Sequence, residues 1–334
     1  MTNEERPFVS GARMRRLLPP RDAVDAIEAA LRAGLDPSDD PPRTLVDAVH
    51  GQLLLMPSAS AEYAGVKIVT VAPANPDRGV PRIQGLYVLF DAITLSPVAL
   101  LDGTALTTVR TPAVSVAAVR SALLDERRSG EVPLRVVVFG CGPQAVAHVE
   151  TLLDVVSASA PMPLPGSVAV VSYLVRRPDQ VGVPRSTGVR VEVLSSRGPE
   201  AARAVAEADL IVCATTAREP LFDGGSVREG AVVVAVGSHQ ADAREVDGEL
   251  AGRAQVVVED VATALRENGD VVLAIGEGRL RPDDLLPMRE VVAGRVVLRR
   301  DRPVLFTSTG MAWEDLVVAS AVYDLWSADQ VVDR

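Results

Sequence analysis

The stretch from Leu134 to Val156 constrains this chain more than any other. LRVVVFG is a short run that is apolar apart from Arg135, the kind of strand that is buried on both faces. It leads into Gly140-Cys141-Gly142-Pro143-Gln144-Ala145 and then into a segment whose apolar residues Ala145, Val149, Leu152, Leu153 and Val156 share one helical face. Strand, glycine turn and helix, in that order, are the context in which G-x-G-x-x-G/A holds a dinucleotide. Gly140 permits the tight turn, Gly142 lets backbone approach a pyrophosphate, and Ala145 allows close helix–strand packing. The free N–H groups and positive dipole end of the helix suit the phosphates. Gly140, Gly142, Pro143, Gln144 and Ala145 are therefore candidate cofactor-binding residues; the bland alternative is a glycine-rich turn without a ligand.

The same rhythm continues. SVAVVSYLV, RVEVL, LIVCATT, AVVVAVG and AQVVVED are further apolar runs separated by helical or turn segments. Alternation of this kind predicts an α/β fold with a Rossmann-type, doubly wound parallel sheet. In such sheets an acidic residue after the second strand binds the ribose 2′-hydroxyl. Here SYLVRRPD places Arg176 and Arg177 there instead. Arginine suits a 2′-phosphate, so NADP(H) is favoured and NAD(H) is the alternative; ordinary solvated charges are the other reading of the pair.

The N-terminal third reads differently. Val24, Ile27, Leu31 and Leu35 have the spacing of an amphipathic helix ending near Gly34. A Pro- and Asp-rich loop, DPSDDPPR, follows. LLLMP, GVKIVTVAP, GLYVLFD and SPVALLDG predict strands of an antiparallel sheet, a second α+β domain. TALTTVRTPAVSVAAVRSALL predicts a helix beginning near Thr107 or Thr111. A charged break covers 125–133 and a flexible insert 157–167. A last helix, GMAWEDLVVASAVYDLW, packs back on the first domain in this reading. The expected domains are residues 1–120 with 309–334, and residues 121–308.

Composition narrows the function. A net charge of −10 argues against a general nucleic-acid binder. The apolar runs are too short for a membrane span, and the N-terminus has no apolar signal-type core. Two cysteines, Cys141 and Cys213, and three histidines, His50, His148 and His239, form no metal-type cluster. Cys141 reads as turn filler, Cys213 as core, and His148 as a structural residue on the polar side of its helix. These features predict a soluble, cytoplasmic protein. Of 34 lysines and arginines, only Lys67 is a lysine, so 33 are arginines. Arg is the default cation, and Lys67 stands within the apolar run GVKIVTV.

Beyond these local features, PPR (41–43), LLMP (54–57), GVK (65–67), PANPDRGVP (73–81), ALLDG (99–103), LTTVRTPA (106–113), GCGPQA and GMAWEDL (310–316) together resemble the ornithine cyclodeaminase/mu-crystallin family, in order from about residue 40 to 325. The resemblance implies that residues 1–120 and 309–334 bind substrate and dimerise, giving a homodimer, and that Thr111 joins the cofactor site. It implies a small amino, imino or keto acid as substrate. Arg43, Lys67 and Arg110 match the family's cationic positions around the substrate carboxylate. Arg offers a bidentate grip on a carboxylate. A desolvated Lys can also donate or accept a proton, which Arg cannot.

In cyclodeaminases of the family a carboxylate after the fifth strand engages the substrate amine. Here AVVVAVGSHQADAREVD places His239 at that position, with Asp242 as an alternative. A second acidic position corresponds to Leu54. Both departures remove negative charge that would hold a diamine and favour simple redox chemistry. His239 lies past a strand's C-terminal end, and an unperturbed imidazole suits acid–base work near neutrality, so Lys67 and His239 are the candidate catalytic residues. Thr307 and the TLSP turn at 94–97 depart from the family's FKS and TGxP patterns. The resemblance thus implies an NAD(P)H-dependent reductase or dehydrogenase of an α-imino or α-amino acid. A cyclodeaminase with tightly bound NAD and a non-enzymatic dinucleotide-binding protein of the mu-crystallin type are the alternatives.

Overall fold

A computed structural model describes residues 6–124, 133–158, 168–184 and 188–332. Residues 125–132 of the expected charged break and 159–167 of the expected insert lie outside these. The chain forms two compact units, one from Met1–Thr111 with Met311–Arg334 and one from Pro112–Gly310. The division falls at 111/112, inside a helix, whereas the sequence reading sets it at 120/121.

Unit 1 begins with β1 (Phe8–Val9), α1 (Gly11–Leu17) and α2 (Pro20–Arg32). Val24, Ile27 and Leu31 of α2 are buried, as their spacing requires. Gly34, at φ 106°, takes the left-handed conformation that ends helices. Strands β2 (Thr44–Ala48), β3 (Gly51–Ala59), β4 (Tyr63–Val71), β5 (Ile83–Asp91) and β6 (Pro97–Asp102) follow. They form a sheet ordered β1-β6-β5-β4-β3-β2, antiparallel except for β1 against β6. In the β5–β6 connection Leu95 has φ 53°, a left-handed conformation, and it occupies the TLSP position where the family pattern has glycine.

Helix α3 (Gly103–Leu123) starts earlier than the expected Thr107 or Thr111. The reason is Asp102, whose Oδ1 accepts from the N–H groups of Thr104 and Ala105 at 3.1 and 3.0 Å. Asp102-Gly103 reads as a turn in sequence, but strand passes directly into helix. A Cβ at Gly103 would lie 2.7 Å from the Gly85 backbone, so only glycine allows this close approach.

Unit 2 is the parallel-sheet domain. It contains β7 (Leu134–Phe139), α4 (Pro143–Ala158), β8 (Val168–Val175), β9 (Arg190–Ser195), α5 (Pro199–Glu207), β10 (Leu210–Cys213) and β11 (Val232–Ala235). After these come α6 (Gly248–Arg253), β12 (Gln255–Val258), α7 (Val261–Glu267), α8 (Gly269–Gly276), β13 (Leu285–Pro287), α9 (Met288–Val292) and β14 (Val304–Thr307). The eight strands are all parallel, in the order β13-β12-β14-β11-β10-β7-β8-β9. Strand order reverses between β7 and β10, which is the switch point where open α/β sheets bind ligands. Every residue of β10, β11 and β14 is buried, so their apolar runs reflect cover on both faces.

One strand is new here and one sequence reading changes. Val304–Thr307 inserts as a strand between β11 and β12, a pairing that no local pattern announces. His148 is on the covered side of α4, not the polar side. It is 3% exposed, its Nε2 lies 3.0 Å from Ser115 Oγ and its Nδ1 lies 2.7 Å from the Gln144 carbonyl oxygen.

The last helix, α10 (Ala312–Val332), completes unit 1 and lies against α2, β3, β4 and β5. Its first half is covered on all sides, with Trp313, Leu316, Val318, Ala319 and Val322 buried. No helix among the described residues is long and apolar enough to cross a membrane.

Candidate active site

In unit 1 the site grows from strand alternation. Lys67 on β4 faces the covered side of the sheet, opposite Met56 on β3 and Tyr87 on β5. All three are buried, and α10 covers the sheet here. A lone ammonium there would be very costly, so it needs a partner. α10 supplies one: Lys67 Nζ lies 2.6 Å from Asp315 Oδ2, with side-chain exposures of 2% and 0%. Arg110, on α3, reaches the same helix turn. Its Nη1 donates to Glu314 Oε2 at 2.5 Å and its Nε lies 3.4 Å from Asp315 Oδ1. Two of the expected cations are thus brought together by two consecutive acids.

The electrostatics of this cluster are set by burial. Desolvation pulls the Lys67 ammonium down to about 8, with Arg110 acting in the same direction and Asp315 against it. Asp40, ahead of β2, is pushed up to about 6, mainly by burial, although Ser58 Oγ donates to its Oδ1 at 2.6 Å and the Trp313 N–H donates to its Oδ2. Asp40 therefore ties the segment leading to Arg43 onto the start of α10. Arg43 itself is half-buried in that segment. Tyr87 has its hydroxyl pushed well up by burial and by Asp315 and Asp40, and the oxygen has no hydrogen-bond partner among the described residues. A Cβ at Gly65 would lie 2.0 Å from that oxygen, so the phenol occupies the space above the glycine.

Unit 2 holds the glycine turn. Gly140 has φ 98°, and a Cβ there would lie 2.7 Å from the Ala214 carbonyl oxygen. Glycine is required on both counts. Gly142 and Pro143 are exposed, and a Cβ at Gly142 would meet nothing within 4 Å. Ala145 is fully buried under the first turn of α4, and Gln144 is half-buried beside it. An open approach to a helix start, with its positive dipole end, fits a pyrophosphate. Arg176 and Arg177 are exposed and follow β8 directly, the second strand of the βαβ series; Arg177 donates to Gln180 Oε1 at 3.2 Å. Thr111 is buried on α3.

At the C-terminal ends of β10 and β11, Glu245 is fully buried. It accepts from Thr215 N–H at 2.8 Å, Thr215 Oγ1 at 2.6 Å and Gly237 N–H at 2.7 Å. Burial pushes its carboxyl up to about 7 against these bonds. His239 lies in the loop past β11, exposed, with Nδ1 3.2 Å from the Gly237 carbonyl oxygen. Asp242, its alternative, is exposed and ion-paired with Arg218. Thr307 ends β14 and is buried, bonding Asn268 and Asp270, each at 2.9 Å. Leu54 is half-buried on β3 opposite Val69.

Sequence reasoning missed the anions. Asp315, Glu314, Asp40 and Glu245 receive no role from it, although Glu314 and Asp315 stand in the family-like stretch GMAWEDL and interrupt an otherwise apolar helix start, and that is the signal they left. Tyr87 left none.

Known proteins are similar to this chain in sequence and fold. The ketimine reductase mu-crystallin of Mus musculus is 33% identical over 292 residues, covering 86% of this chain and 85% of that protein. The Thermococcus litoralis Delta(1)-pyrroline-2-carboxylate reductase, solved in complex with NADH and L-proline, superposes with a TM-score of 0.80 at 25% identity, over 97% of this chain and 98% of that one. An archaeal alanine dehydrogenase dimer with bound NAD superposes with a TM-score of 0.78 at 25% identity, over 98% of both chains. The family model for ornithine cyclodeaminase/mu-crystallin matches residues 9–330, so this chain belongs to the ornithine cyclodeaminase/mu-crystallin family.

Proposed function

We propose that this chain is an NAD(P)H-dependent reductase of α-imino acids, cyclic or open-chain ketimines that carry a carboxylate beside the C=N carbon. The carrying observation is the buried Lys67–Asp315–Arg110 cluster in the same chain as a complete dinucleotide turn. Arg110, Arg43 and Lys67 hold the substrate carboxylate; the two guanidiniums supply the directional grip. Lys67, poised near 8, gives a proton to the imine nitrogen, and the iminium so formed is the better hydride acceptor. The nicotinamide, when bound, supplies the hydride to the imine carbon. His239 is the second candidate catalytic group, an alternative source of the proton.

The N–H groups at the start of α4, with Gly140, Gly142, Pro143, Gln144 and Ala145, hold the pyrophosphate. Thr111 contributes to the cofactor site from α3. Arg176 and Arg177 take a 2′-phosphate, so NADPH is preferred over NADH. The protein works as a homodimer, a reading supported by the archaeal alanine dehydrogenase dimer.

The test is a panel of cyclic imino acids, and of α-keto acids with ammonia or simple amines, scored with NADPH and NADH. Oxidation of NADPH faster than NADH with at least one imino acid is the expected result. Ammonia release from ornithine without net cofactor oxidation would replace the proposal with cyclodeamination. Cofactor binding with no turnover of any pair would replace it with a binding role.

A further inference from the structure

Lys67 is held by more than the strand it stands on. Its ammonium feels Asp315 and Glu314 on α10 and Arg110 on α3, and Tyr87 is its register partner on β5; Asp40, ahead of β2, acts on Asp315 and Tyr87 in turn. Among the described residues Asp315 is the charged group in contact with it, at 2.6 Å, and Asp315 also lies 3.4 Å from the Arg110 guanidinium. The carboxylate therefore sits between the two cations that the proposed function assigns to the substrate.

We propose that Asp315 is the positioning residue of this site: it fixes the Lys67 ammonium on the covered face of β4 and keeps that nitrogen protonated while it waits for substrate. The inference rests on the reading of Lys67 as proton donor. Physically, the slot opposes a cation twice over. Burial removes its hydration, and Arg110 repels it. Asp315 is the largest opposing influence and, among the described residues, the one in contact. Without it, Lys67 would lose its proton within the range where the enzyme works, and a neutral amine cannot protonate an imine. The step itself balances simply. The proton leaves Lys67 Nζ for the imine nitrogen, the neutral amine stays beside Asp315, and water restores the proton.

The chain offers an uncommon readout, because Lys67 is its one lysine. Growth on lysine carrying 13C at Cε gives a single side-chain methylene signal whose shift follows protonation, with no need for cofactor or turnover. In the native chain the titration midpoint is expected at about 8. In Asp315→Asn it should fall by about one unit or more, roughly a tenfold loss of proton affinity. The high-pH limb of kcat/KM for imine reduction should move down by the same amount. A midpoint that stays put or rises in folded Asp315→Asn overturns the proposal.

If Asp315→Asn does not fold, Arg110→Gln carries the test in the opposite direction. Removing the repelling guanidinium leaves Asp315 to Lys67 alone and should raise the midpoint, and an unchanged midpoint overturns the charge balance argued above. Failure of the native chain to reduce any imino acid would refute the proposed function. An unmoved midpoint in Asp315→Asn, with reduction intact in the native chain, would refute the role of Asp315 alone.

Discussion

Gly65→Ala tests how tightly the site is built. Gly65 stands on β4 two residues before Lys67, without a left-handed φ. Alanine is therefore conformationally acceptable, and by backbone entropy alone it should stabilise the strand by about 0.5–1 kcal/mol. Contacts oppose this. The new Cβ would lie 2.0 Å from Tyr87 Oη, 2.5 Å from Cζ and 2.7 Å from Cε1. Tyr87 is fully buried, so its ring has no free space to enter. Overpacking of this kind costs about 1–3 kcal/mol, so the net expectation is a loss of about 1–2 kcal/mol. Shortening the partner should cancel it. In a Tyr87→Leu background the clash is gone, and adding Gly65→Ala should be neutral or slightly stabilising. Tyr87→Phe should give little relief, since Cζ remains at 2.5 Å. The double-mutant cycle should then show a coupling of about 1–3 kcal/mol. Both tryptophans, Trp313 and Trp326, are on α10 in unit 1, so their fluorescence during urea unfolding reports on the right part of the chain. Coupling below about 0.5 kcal/mol, the usual scatter of additive sites, would refute the reasoning.

Three further outcomes are expected. Lys67→Arg keeps the charge but removes the proton donor, so imine reduction should fall roughly 10²–10⁴-fold with cofactor affinity unchanged; turnover near the native level would mean that charge alone suffices. Asp40 has its carboxyl raised by folding from 3.8 to about 6, so the folded state binds the proton more tightly and stability should decline as pH rises between those values. The decline is at most about 3 kcal/mol, and it should be missing in Asp40→Asn when melting is compared across that range. Leu95→Gly removes a side chain from a left-handed position where the family pattern has glycine, and should stabilise by up to about 1 kcal/mol, read as a higher melting temperature; a lower one would show that the Leu95 side chain makes a compensating contact.

The parallel sheet was legible because its central strands are buried on both faces and so read as apolar runs, with the glycine turn marking where the first ends. The insertion of β14 between β11 and β12 was not, since strand order depends on contacts far apart in sequence. The start of α3 was misplaced because Asp102-Gly103 carries a turn signal locally while acting as a helix cap. His148 shows the same limit in a side chain: a polar residue looks solvent-facing until a partner such as Ser115 is brought to it from another helix. In the candidate site the cations stood out, because a lone lysine in an apolar strand contradicts its surroundings. Their counter-charges did not, because Glu314 and Asp315 lie more than two hundred positions along the chain from Arg110 and Lys67.

That separation has a consequence for the order in which the chain takes shape as it is synthesised. Unit 2 is one continuous stretch, Pro112–Gly310, and has its whole sheet available once that stretch has emerged. Unit 1 is split around it, and its two buried cations acquire Asp315 and Glu314 only after everything in between has been made. Until then α10, which both covers Lys67 on the sheet and carries its counter-charge, is missing, so the cations stay open to water. Burial of the two cations and their neutralisation are therefore one event, the docking of the last helix, and neither has to be stable without the other.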